Sequence, residues 1–415
     1  METARYNDAM DPVGQLDRLE RLGAECLRGV PGKHLAEAWW SATNDLPRQL
    51  PADLRSSMAE AARLSPEGLE AGLCVVVRGV RTEAARNLLL NTPPPNERLR
   101  PAFVVLASNL PGLALQCLLP ALAARRPVFL KTPSAEPDFT PWFLRRLEAV
   151  APEIRDAVAT ATWRGGVRGI EDPILARVGR VIAYGGDGAI ADLGGRATGS
   201  FTGQGHRISL GIVPSTSGIE LATTARGLAR DVALFDQQGC LSIHSVLVTD
   251  SSAPDHIEGL ASDLADALAE QLIALAKDLP PGPARVDQLA AVRAAREEAV
   301  MAGHRAIDLP LRLGTVLLER IDEDQEPRRL ESPGLRTVRI VPVRSRTAVW
   351  KLLRSWRGRL QGIALGHRDG AFETGLRELG VTRIASPGQL QDVDAAVWHN
   401  GGDSPLANFE DSSAE

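Results

Sequence analysis

At 415 residues, 44% of them hydrophobic, the chain is long enough for about two cores, because a single compact core stops growing near ~250–300 residues. Charged residues make up 24% and the formal net charge is -5, a balance that sets nucleic acid aside as the main partner. No run approaches the roughly 18 apolar residues of a membrane span, the start Met1-Glu2-Thr3-Ala4-Arg5 lacks the pattern of a secretory leader, and the widely spaced Cys26, Cys74, Cys117 and Cys240 form no metal motif; a cytoplasmic protein with reduced thiols and no bound metal is the expectation.

Residues 12–90 place apolar side chains at helical spacing with breaks such as Ser65-Pro66, and read mostly as helices. Thr92-Pro93-Pro94-Pro95 is a stiff connector. Residues 102–107 form a short apolar run suited to a buried parallel strand, 108–112 a turn, 113–124 a helix and 127–131 a second strand that ends on a lysine. A helix at 143–150, a strand at 158–163 and a strand at 180–183 follow, the last running into Tyr184-Gly185-Gly186-Asp187-Gly188. Residues 208–213 read as a strand, and a helix at 218–235 leads into Asp236-Gln237-Gln238-Gly239-Cys240. Beyond the cysteine come a strand at 245–249, a helix at 255–276, a strand at 314–318 and further alternation at 336–343, 346–356 and 362–366, before a polar tail from 407 that is expected to fray. Such alternation implies an α/β fold with parallel sheets and helices on both faces.

Several residues could carry chemistry. Cys240 follows a helix and a Gln-Gln-Gly loop, where a thiolate near backbone N–H donors can attack a carbonyl and form a covalent acyl adduct. A free thiol is more often a packing residue, and Cys26, Cys74 and Cys117 read that way. Asn109 closes a strand before a helix and could donate to an oxyanion; Lys131 ends the next strand, at the edge where α/β sheets bind ligands. Gly185 and Gly186 let a phosphate approach the backbone, although most glycine clusters are ordinary turns. His244, four residues past the cysteine, is either a tuner of the thiol or a histidine satisfied at a strand end. Gln237 and Gln238 shape the cysteine loop or touch substrate.

The order of these pieces resembles the aldehyde dehydrogenase superfamily: Ala107-Ser108-Asn109-Leu110-Pro111-Gly112, then Lys131-Thr132-Pro133-Ser134, then a strand into Gly185-Gly186, then the glutamine-rich loop and Cys240. Asp236-Gln237-Gln238-Gly239-Cys240-Leu241-Ser242 and Trp398-His399-Asn400-Gly401-Gly402 are similar to the LuxC-type acyl-CoA reductases, the fatty acid reductases of bacterial bioluminescence. The resemblance spans about 95–405 and implies two doubly wound, Rossmann-like domains with a helical N-terminal region: 1–90 as the helical part of the cofactor domain, 91–210 as the nicotinamide cofactor domain, 211–385 as the catalytic domain, and 386–415 packing back or in oligomer contact.

The resemblance further implies that Cys240 takes the acyl group from a thioester, that Asn109 and the Cys240 N–H form the oxyanion hole, that Lys131 contacts the adenosine ribose, that Gly185 and Gly186 lie near the pyrophosphate, and that Glu331 holds the nicotinamide ribose despite Pro333 in place of an aromatic residue. In the run Arg207–Val213, Gly211 would stand where dehydrogenases carry a glutamate base, favouring reduction over hydrolysis. Ser134 replaces the carboxylate that binds a ribose 2′-OH, which favours NADPH, with NADH the alternative if Glu136 takes that place. The partners implied are an acyl-CoA or acyl-carrier-protein donor, an acyl-protein synthetase and a second copy of the chain. The rival readings are a reductase of a phosphate-activated acid, similar to glutamyl phosphate reductase, and a catalytically silent scaffold.

Overall fold

A computed structural model describes residues 11–215, 220–249, 256–320, 330–400 and 404–410. The start of the helix expected at 218–235, the first residue of that at 255–276, Gly401, Gly402 and the last five residues of the tail lie outside the described residues. The chain divides into two compact units. The first comprises the described residues of Met1–Ala62, Leu73–His206 and Val393–Glu415, the second those of Arg63–Gly72 and Arg207–Asp392.

The first unit is built on five parallel strands: β1 (Ala102–Val105), β2 (Val128–Thr132), β3 (Val158–Thr162), β4 (Arg180–Tyr184) and β5 (Ser200–Gln204). Their order is β3-β2-β1-β4-β5, with β1 hydrogen-bonded to β2 on one side and β4 on the other. β1 and β2 are nearly continuous apolar runs because helices cover both faces of such a sheet. The core on one face gathers Leu16, Leu19, Phe129, Val181 and Phe103, the last stacked on Trp163 with ring centroids 6.1 Å apart. Residues after 393 complete this unit: the buried Arg126 guanidinium donates to the carbonyls of Phe409 and Arg100, and Ala395 N–H donates to the Gly79 carbonyl.

The second unit carries seven strands: β6 (Ile208–Pro214), β7 (Ile243–Thr249), β8 (Arg305–Asp308), β9 (Thr315–Leu318), β10 (Thr337–Val343), β11 (Leu360–Leu365) and β12 (Arg383–Ala385). The order is β12-β11-β6-β7-β10-β9-β8, parallel except for the antiparallel edge strand β8. Leu210 and Ile212 join Val349, Leu353 and Leu376 of the helices Arg346–Ser355 and Gly370–Glu378 in one core. Gly211 between them faces the other way, toward Leu228 of the helix Leu221–Ala233. The α/β expectation is met: among the described residues every strand pair is parallel but β8 with β9.

Candidate active site

At the carboxyl edge of the first sheet, chain order reverses across β1 and β4, the crevice where doubly wound sheets bind dinucleotides. The loop after β1 holds Asn109, exposed; the stretch after β4 holds Gly185 and Gly186, which open the helix Asp187–Arg196. A Cβ added at Gly186 would meet nothing within 4 Å, so its backbone stands open at a helix N-terminus that favours an anion. Lys131 ends up largely buried at the close of β2, its ammonium 5.4 Å from the Trp163 ring centroid, and burial holds its pKa below the ordinary lysine value. Ser134 is exposed and donates to the Trp163 carbonyl at 3.2 Å. Glu136 serves as a helix cap: its carboxylate accepts the N–H groups of Asp138 (3.0 Å) and Phe139 (2.6 Å) at the start of the helix Phe139–Glu148, while burial pushes its pKa up to about 7. The first unit therefore brings Asn109, Lys131, Ser134, Gly185 and Gly186 to one sheet edge, the edge at which doubly wound sheets bind their ligands.

The remaining candidates belong to the second unit. The helix Leu221–Ala233 gives way to three successive left-handed residues, Phe235, Asp236 and Gln237, with φ of 57°, 48° and 62°. Such a run costs roughly 1–2 kcal/mol per residue, so it persists only where side chains over-determine it. Asp236 Oδ1 accepts from Arg336 Nε at 2.7 Å and Nη2 at 2.5 Å, and its Oδ2 accepts Gly282 N–H at 2.7 Å. Gln237 Nε2 donates to the carbonyls of Ile243 (2.6 Å) and Thr337 (2.7 Å). Phe235 lies against Gly72, where an added Cβ would come within 2.4 Å of its ring. Beyond this base, Ser209 Oγ donates to the Cys240 carbonyl at 2.8 Å, tying the loop to the start of β6. Gln237, only 4% exposed, thus belongs to the scaffold of the loop.

Cys240 is half-buried, and burial pushes its thiol pKa up to about 11. Against that act the Arg207 cation and the backbone N–H groups of Cys240 and Leu241, which favour the ionised form. Arg207 was missed in the sequence, although a basic residue directly before the strand that carries Ser209 was a readable signal. His244 has a different partner: its Nδ1 accepts Ser332 N–H at 3.2 Å. Next to it Ser245 Oγ donates to the Leu330 carbonyl at 2.6 Å, and Arg339 Nε to the Glu331 carbonyl at 3.2 Å. These bonds hold the Glu331-Ser332-Pro333-Gly334 loop on β7 and β10, so His244 acts on that loop.

Two expectations change. Gly211 lies inside β6, paired with Val246 of β7 and Ala364 of β11, and a side chain there would press on Leu228 and Val246. It marks no vacant base position, because a carboxylate at that point would be sealed in the core. Of the cysteines expected to serve packing, Cys117 is buried, its thiol pushed up to about 12, but Cys74 is exposed and Cys26 half-exposed.

Comparison with known structures defines the fold as that of the aldehyde dehydrogenases. The NADP-dependent glyceraldehyde-3-phosphate dehydrogenase of Bacillus halodurans, in complex with NADP, matches with a TM-score of 0.71 over 91% of this chain and 83% of its own, at 15% identity. The NAD-dependent benzaldehyde dehydrogenase of Corynebacterium glutamicum matches with a TM-score of 0.69 over 92% and 87%, at 14% identity. Residues 99–409 match the family described as acyl-CoA reductase (LuxC), and the chain belongs to that family. A long-chain acyl-protein thioester reductase of Photobacterium leiognathi is 27% identical over 206 residues, a stretch that covers 48% of this chain but only 41% of the relative.

Proposed function

We propose that this protein reduces an acyl thioester to an aldehyde through a covalent acyl group on Cys240. The observation that carries this reading is the cysteine loop itself: a half-buried thiol that follows three left-handed residues, on a turn fixed by the Asp236–Arg336 pair and tied to β6 by Ser209. The sulfur attacks the thioester carbonyl, and a new C–S bond forms as the donor's C–S bond breaks. The departing thiol carries the proton that Cys240 gave up. The backbone N–H of Cys240 and the side chain of Asn109 are assigned the donors to the oxyanion that develops.

A reduced nicotinamide dinucleotide, when bound, supplies the hydride. Lys131, Ser134, Gly185 and Gly186 would hold its adenosine and pyrophosphate portions, and Glu331 its nicotinamide ribose. NADPH is favoured, because Ser134 is neutral and Glu136, the nearby acid, is bound to the helix it caps. The donor is an acyl-CoA or an acyl group carried on protein. The test is aldehyde formation from NADPH and a panel of acyl-CoAs. Turnover that Cys240→Ala abolishes supports the reading; turnover retained by that variant, or seen only with acyl phosphates, overturns it.

A further inference from the structure

Within the second unit lies a cavity of ≈ 190 Å³ lined in part by Asp236 and Gln238 of the cysteine loop, to which the proposed function assigns no ligand. We propose that it is a binding site for a short apolar chain ending in an anion, the class of a medium-chain carboxylate. Leu289, Val292 and Leu335 supply apolar wall, and Leu311, 88% exposed, stands at its edge. A space of this size takes roughly six or more groups of water or methylene size, at ~30 Å³ each.

The charges around it do not balance. Asp236 is matched by Arg336, and Asp308 accepts from Arg296 at 2.5 Å and Thr315 Oγ1 at 3.2 Å. Among the described residues, Arg63 and Arg312 also line the cavity, and the guanidinium of neither has an ion-pair or hydrogen-bond partner. Two unmatched cations over an apolar pocket fit an amphiphilic anion better than a sugar or a neutral lipid. The backbone adds a second sign. Of the ten non-glycine residues with positive φ among the described residues, six line this one cavity: Arg63, Asp236, Leu311, Arg312, Leu335 and Arg336. Strain gathered at one place marks a surface shaped for a ligand more than for stability.

The test is calorimetric titration of the protein with octanoate, inorganic phosphate and octan-1-ol. Expected is saturable binding of one octanoate, with phosphate and octanol each weaker by about tenfold or more, since each lacks half of the recognised chemistry. Arg312→Glu reverses an exposed charge, and Leu289→Trp fills the wall; each should weaken octanoate by about tenfold or more while the circular dichroism is kept. Absence of saturable octanoate binding, binding indifferent to Arg312→Glu, or phosphate binding as well as octanoate would each overturn the proposal. Should Leu289→Trp fail to fold, the exposed Arg312→Glu decides alone.

Discussion

Replacing Arg336 by methionine tests whether the cysteine loop is held by its buried ion pair. The guanidinium is 1% exposed; it gives two bonds to Asp236 Oδ1, at 2.7 and 2.5 Å, and one to the Leu279 carbonyl at 2.9 Å. Its loss strands Asp236, 6% exposed, with Gly282 N–H as the remaining partner of its carboxylate. Removing one member of a buried pair costs about 3–5 kcal/mol. For a unit of this size that is a fall in Tm of about 6–20 °C. The Arg346–Asp369 pair has similar geometry, but its side chains are 51% and 37% exposed. Arg346→Met should therefore cost far less, because an exposed pair is screened by solvent. Adding Asp236→Asn to Arg336→Met removes the stranded charge and should restore part of the loss. Melting curves of wild type and the three variants decide the matter. If Arg336→Met melts within a degree or two of Arg346→Met, or Asp236→Asn brings no recovery, the buried pair does not hold the loop.

Three more outcomes are expected. Asn109→Ala should slow aldehyde formation by about 10²- to 10³-fold, as for the loss of one oxyanion donor, with little change in melting because Asn109 is exposed. His244→Phe should weaken nicotinamide cofactor binding, seen as a raised KM for NADPH, while His244→Asn, which can still accept the Ser332 N–H, should keep much of it. An equal fall in kcat with KM unchanged would place His244 at the thiol instead. Asp231, fully buried, has its pKa pushed up to about 7 by desolvation, against the N–H groups of Gly388 and Leu390 that it accepts. The folded state then holds a proton that the unfolded chain has released, so this group's contribution falls as pH rises from about 4 to 7, by up to about 4 kcal/mol. Urea melts over that range should show wild type losing stability relative to Asp231→Asn; parallel curves would contradict the assignment.

What could be read in the sequence follows from what each segment buries. β1, β2, β4 and β7 were legible because they lie inside parallel sheets and each carries a short apolar run. β5 was not: Ser200-Phe201-Thr202-Gly203-Gln204 is a half-exposed edge strand with no apolar run. The edge strands β8 and β12, four and three residues long, gave no signal either. The helix Val286–Met301 was missed because it buries little beyond Ala299 and so has no apolar stripe. The helix Asp187–Arg196 hid behind its glycines and read as a turn. In the candidate site, Cys240 stood out through its flanking Gln-Gln-Gly, and Asn109, Lys131 and Gly185-Gly186 through their places at strand ends. The partners that fix them were out of reach. Asp236 with Arg336, and His244 with Ser332, are joined across 100 and 88 residues of chain by tertiary folding that no local pattern records.

Intact-mass spectrometry after mixing the protein with an acyl-CoA, nicotinamide withheld, bears on the chemistry most directly. One acyl group should add per chain, mapped by peptide fragmentation to Cys240 and missing from Cys240→Ala. A protein that stays unmodified, or takes the acyl group on Cys74 or Cys26 instead, would show that the nucleophile has been misassigned.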